Sequence, residues 1–151
     1  MNPIEYAFMK LAELFGYSQI ELEDELTEEC YFLSEDDILE LILTVVHNAN
    51  AVLKKINGEK HEELADMEPN RRAGMKAAIK NALTTDTTPE QSHINWLAAQ
   101  EALGYKYGTE IDRVNLLHPC MVPYEQLPAE QKLKDDMFVA IIKSFKEKIP
   151  R

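Results

Sequence analysis

The residues with the most chemical potential lie in the second half of the chain. His93 and Trp96 stand three apart, so on a helix their rings share one face. Tyr105-Lys106-Tyr107-Gly108 follows, and an extended backbone would send its two phenols to opposite sides. Next comes His118-Pro119-Cys120-Met121-Val122-Pro123-Tyr124, a strip stiffened by two prolines that lock φ. Trp and Tyr combine an apolar body with a polar tip. Two roles fit such a group. The rings form a small core that pins a loop to its helices, or they line a pocket for a planar ligand, with Arg113 or Lys106 supplying charge. The candidate ligand-binding set is His93, Trp96, Tyr105, Tyr107, Arg113, His118 and Tyr124.

Catalysis finds little support in the same residues. Cys120 and His118 are two apart, but no strand–turn–helix motif presents the thiol as a nucleophile. A zinc site built from His93, His118 and Cys120 lacks a fourth ligand at a familiar spacing. Gly104 and Gly108 do not open a helix and so make no phosphate-cradling loop. The expectation is therefore no catalytic residue, no metal and no cofactor, in a protein that is not an enzyme.

Helices must position these rings. Ser34-Glu35-Asp36-Asp37 is a helix start, with a capping hydroxyl and three acids at the positive dipole end. That helix should run over about 35–56, with Ile38, Leu41, Ile42, Val45, Val46, Ala49, Val52, Leu53 and Ile56 on its apolar face, and close at Asn57-Gly58. A second helix is predicted over 69–83, with Met75, Ala78, Ile79 and Leu83 inward. Thr88-Pro89-Glu90-Gln91 starts a third, which runs to Leu103 and stops at Gly104. Residues 105–127 make a structured aromatic loop with room for two short strands. Pro128 opens the last helix, to about Lys148, with Leu133, Met137, Val139, Ala140, Ile141 and Phe145 inward. Ahead of all these, Pro3 and the stripe Ile4, Phe8, Leu11, Leu14 and Phe15 predict a helix over 3–15. Residues 18–30 are acidic and only weakly periodic.

The helices repeat. His47 and Gly58 match His93 and Gly104 at an offset of 46, while Glu63, Glu68, Met75, Ala78 and Ile79 match Glu125, Glu130, Met137, Ala140 and Ile141 at an offset of 62. The second copy thus carries about sixteen extra residues, which are the aromatic loop. The fold expected is mostly α: two helical hairpins related by a pseudo-two-fold axis, with the elaborated loop in the second. The divisions are an acidic N-terminal helical extension over 1–34, a degenerate first half-repeat over 35–86 and a second half over 87–151.

Composition narrows the partners. The net charge of the 151 residues is −11, and all of it arises in residues 1–46, where twelve acids face a single base, Lys10. This segment is a solubilising face or a surface for a basic partner. Duplex nucleic acid and anionic membrane both need clustered cations, so neither is expected. Cys30 and Cys120 fall in no paired motif, no secretory signal is visible, and the longest apolar run is far too short to span a bilayer. A cytoplasmic protein is expected, with a protein partner or self-association and scope for a small-molecule ligand.

The second half resembles the ryanodine receptor repeat, a cytosolic module of calcium-release channels that also occurs in stand-alone bacterial and phage copies. The resemblance rests on His93, Trp96, Gly104, Tyr105, Tyr107, Gly108 and Asp112, then His118-Pro119-Cys120, Val122-Pro123-Tyr124 and Leu127-Pro128, and covers about residues 90–146. It implies a non-catalytic module, with copies packed in pseudo-two-fold pairs, that serves as a docking surface or binds small ligands such as nucleotides. Three departures stand out: Asn115 where the family usually has a base, Asp136 where it often has Arg, and Tyr105 in place of the more usual Trp. The two lost bases weaken the case for an anionic ligand.

Overall fold

Residues 34–147 are described by the computed structural model. The helix expected over 3–15, the acidic stretch 18–30 and the last residues of the final helix lie outside them. Helix α1 spans Glu35–Ile56. Ser34 Oγ accepts from Asp37 N–H, and the Asp37 carboxylate accepts from Ser34 N–H at 2.8 Å, so the reciprocal cap forms. Gly58, at φ 70°, turns the chain away past the helix end. A short 3-10 turn, Leu64–Asp66, leads into α2, Pro69–Thr84. Helix α3, Pro89–Ala102, starts where Thr88 Oγ1 accepts from Gln91 N–H. The Gln91 side chain reaches Asn95 at 2.9 Å rather than the cap backbone, so only half of that box forms.

The aromatic loop contains two short strands, β1 (Lys106–Tyr107) and β2 (Leu117–His118), paired in parallel with Lys106 opposite Leu117 and Tyr107 opposite His118. A second 3-10 turn, Tyr124–Gln126, precedes α4, Ala129–Lys146. Helix α4 packs on α1, α2 and α3 alike. The core lies where α1, α2 and α4 meet: Leu39, Ile42, Leu43 and Val46 from α1, Ile79 and Ala82 from α2, and Ile142 from α4, flanked by Phe138, Ile141 and Phe145. No α3 side chain belongs to this cluster; the one buried residue of α3 is His93.

The apolar faces read from periodicity are right in period and partly wrong in phase. Val45, Val52 and Ile56 of α1, Ala78 of α2, and Leu133 and Ala140 of α4 are exposed. Leu39, Leu43, Ala82 and Ile142 take the inward positions instead. An apolar stripe fixes angular spacing along a helix. Which flank of a broad stripe is covered depends on where the neighbouring helices lie.

Part of the acidic N-terminal charge is consumed inside the fold. Glu35 pairs with Lys80 at 2.8 Å, Asp36 with Lys76 at 3.0 Å, and Glu40 with both Lys76 and Arg72, a ladder joining α1 to α2. Arg72 and then Lys76 hold the Glu40 carboxyl down at about 2. These pairs are partly exposed, so each adds little stability; together they favour one orientation of α2 along α1.

The two halves share a device. His47 Nε2 donates to the Glu62 carbonyl at 2.9 Å, and His93 Nε2 donates to the Val122 carbonyl at 2.8 Å. The donors are 46 apart, the offset read from the sequence. The acceptors are 60 apart, and so are the two 3-10 turns and the buried pair Met67 and Leu127. The structural register of the second segments is thus 60 at these points, not 62. Superposition of the halves about a pseudo-two-fold axis remains an expectation from the sequence.

Ile42 is fully buried in the core. Ile42→Ala is expected to cost about 2–5 kcal/mol, read as a lowered urea midpoint with little change in slope. A loss below ~1 kcal/mol would contradict this account of the core.

Candidate functional site

Four of the seven candidate residues form one chain of rings. His93 stacks on Trp96 with centroids 5.6 Å apart, one helical turn along α3. The Trp96 ring meets His118 edge-on at 4.9 Å, and His93 meets Tyr124 at 6.1 Å. Helix α3 supplies the first two rings, β2 the third and the second 3-10 turn the fourth. His93 is 3% exposed, while Trp96, His118 and Tyr124 are half-buried. Lys132 Nζ lies 5.3 Å from the Tyr124 ring centre and donates to the Glu125 carbonyl.

The other three candidates stand apart from this stack. Tyr105 is half-buried, and Tyr107 is 59% exposed. Arg113 reaches back 51 residues to Glu62, with N–O distances of 3.5 Å. Arg71 bonds the same carboxylate. The loop is thereby tied to the first half of the chain.

The loop backbone is held by its own polar groups. Asp112 Oδ1 accepts from the N–H groups of Val114 and Asn115, each at 2.9 Å, and Oδ2 accepts from the Asn115 amide. These bonds, led by those from Asn115, keep the Asp112 carboxyl below its usual range. Asp112 and Leu117 exchange backbone bonds, and Lys106 N–H donates to the Leu116 carbonyl. Leu116 sits at φ 56°, a costly region for a side chain with a Cβ. A Cβ on Gly108 would lie 2.7 Å from Leu117 Cβ, so only glycine fits beside β2. The tip held this way still shows apolar side chains to water: Tyr107, Ile111 and Val114, the last 91% exposed.

Burial shapes two titratable groups near the rings, and Lys134 is a polar neighbour that sequence reasoning missed. Asp135 of α4 is half-buried, and burial lifts its carboxyl to about 6, against the pull of His93 and a hydrogen bond from Ser92. Burial holds the His118 imidazole down at about 4, with Lys134, Lys54 and Arg71 adding to the effect. His118 Nδ1 accepts from the Cys120 N–H at 3.1 Å, which places the ring proton on Nε2. Lys134 pairs with Glu59 at 2.6 Å, across 75 residues. Contacts at such separations leave no local signal. The repeat offers one clue for Asn50, which at an offset of 46 holds the place that Trp96 holds in α3.

The free Cys120 thiol is pushed up by burial, the opposite of an activated nucleophile. Among the described residues, no group of three or more His, Cys, Asp or Glu side chains could hold a metal ion. Among the same residues, no helix is long and apolar enough to cross a membrane.

Residues 75–146 match the family model of the RyR domain, from within α2 through α3 and the loop to the end of α4. The resemblance to the ryanodine receptor repeat is borne out over that stretch. No curated protein matches the chain.

The two perturbed groups make a pH test. Asp135 lies above its unfolded value of 3.8, so between about 4 and about 6 the folded state holds more protons, and acid favours folding. His118 lies below its unfolded value of 6.5, so between about 6.5 and about 4 the unfolded state holds more, and acid opposes folding. The buried His47, also shifted down, acts in the same sense as His118. Asp135→Asn removes the first contribution alone. The variant should be more stable than the parent at neutral pH and lose stability more steeply between pH 6.5 and 4. Urea unfolding across that range checks this; parallel curves would count against it.

Proposed function

We propose that this protein is a non-enzymatic binding module that docks a protein partner, or a second copy of itself, through the tip of the aromatic loop, and that it acts in the cytoplasm. The observation that carries the reading is the contrast within the loop. Its backbone is locked by Asp112, by the parallel strand pair and by the close fit of Gly108 on Leu117, while Tyr107, Ile111 and Val114 face water. Exposed apolar side chains on a preorganised frame lose little entropy on docking. The RyR domain match is consistent with this reading. A photo-crosslinking residue in place of Ile111, in the protein's native cells, should give a discrete adduct that Val114→Asp weakens without lowering the melting temperature. The same residue at exposed Ala77 on α2 should give none. Identical adducts at both positions would refute docking at the tip.

The alternative is a sensor that binds a nucleotide-like molecule among the rings. Ring geometry favours a structural role, because Trp96 is engaged by His93 and His118 and His93 is buried. Free nucleosides offer a planar base without phosphate. They are expected to leave the melting temperature unchanged, and a dose-dependent rise lost in Trp96→Phe would reinstate the ring pocket.

A further inference from the structure

Helix α1 carries a second apolar stripe beside the one that enters the core. Val45, Ala49, Val52 and Ile56 stand four, three and four apart, so they share one face over about 16 Å of helix. Val52 is 59% exposed and Ile56 73%, so no described element covers the far end of this stripe. Beside it lies an open groove of about 430 Å³, lined by Ala51, Val52, Lys55, Gly58, Glu59 and His61. The short link over 57–63, between α1 and the first 3-10 turn, leaves the groove open.

The chain ahead of α1 carries a matching stripe. Ile4, Phe8, Leu11 and Phe15 repeat the spacing of four, three and four within the helix that the sequence predicts over 3–15. A helix of that length is marginal alone in water, so its apolar side needs a surface. The two stripes complement each other in bulk: Ala49 and two valines on α1 meet two phenylalanines on the segment. The tether is long enough. Residues 16–33 can extend to about 60 Å, while Ile56 lies about 33 Å along α1 from Ser34.

Charge points the same way. Residues 1–33 hold eight acids against one base, Lys10. The first turn of α1 is acidic, whereas its last turn carries Lys54 and Lys55, and Lys60 follows in the link. The acidic segment is therefore drawn to the end of α1 where the groove lies. A second copy fits less well. A symmetric pair would bring like lysines together, and one helical stripe falls far short of the roughly 800 Å² per partner of a standard interface. The tether supplies an effective concentration that a free copy lacks.

We infer that residues 3–15 dock as a helix on this outer face of α1 in the same molecule, laying the one stripe along the other. The acidic stretch 18–30 then lies beside the basic end of α1. The contact is separate from the loop tip and does not depend on docking there.

The test uses the full chain with benzoylphenylalanine in place of Phe15, irradiated as an equal mixture of ordinary and isotope-labelled copies. Peptide mapping should place the adduct within residues 45–61 of the same molecule. Val52→Asp should cut its yield at least ~10-fold, because a carboxylate in an apolar contact loses its hydration. Phe8→Asp should do the same from the segment side, and it alters no residue of the four-helix body. An adduct joining a labelled to an unlabelled copy would give the face to a second copy and overturn the inference. So would the absence of an adduct, one mapped elsewhere, or a yield unchanged in either variant, whatever the crosslinks at the loop tip show.

Discussion

The hydrogen bond from His93 Nε2 to the Val122 carbonyl, at 2.8 Å, joins a helix that lacks its own share of the apolar core to the loop that characterises the second half. A carbonyl can only accept, so the bond needs a proton on Nε2, and burial of the ring makes an unsatisfied partner costly. With His93 held, Trp96 stacks on it and His118 meets the indole edge. Tyr124 closes on the other side as the chain turns into α4. Helix α3 is thus held to the loop by polar and aromatic contacts, and it adds no side chain to the cluster that the other three helices share.

The same device in the first half, His47 on Glu62, places a plainer linker at the corresponding point. That linker carries Glu59 and Glu62, the two carboxylates that reach across to α4, α2 and the loop. The two halves are therefore coupled by charge as well as by the shared core. The plain half thus supplies the acids that tether the elaborate one.

Rigidity in the loop and exposure at its tip are two sides of one arrangement. Asp112 and the parallel strands satisfy the backbone, so the side chains of Tyr107, Ile111 and Val114 are not needed to hold it. The strain at Leu116 and the contact that Gly108 alone allows show that tertiary packing shapes this loop. Local propensity alone would not choose either feature.

Much of this was legible in the residues. Ser34 and Thr88 marked helix starts, Gly58 and Gly104 marked stops, and these signals are local hydrogen-bonding and φ preferences that need no distant partner. The prolines and rings of 118–124 announced a structured strip for the same reason, and the ring and turn motif carried the family resemblance. Tertiary structure alone decided which flank of each helix is covered, as the exposure of Val52 and Leu133 and the burial of Leu43 and Ile142 show. It also brought Lys54, Arg71 and Lys134 near His118, and turned Arg113 toward Glu62. Those outcomes depend on long-range geometry, and helical periodicity carries spacing along one element but no information about what lies opposite.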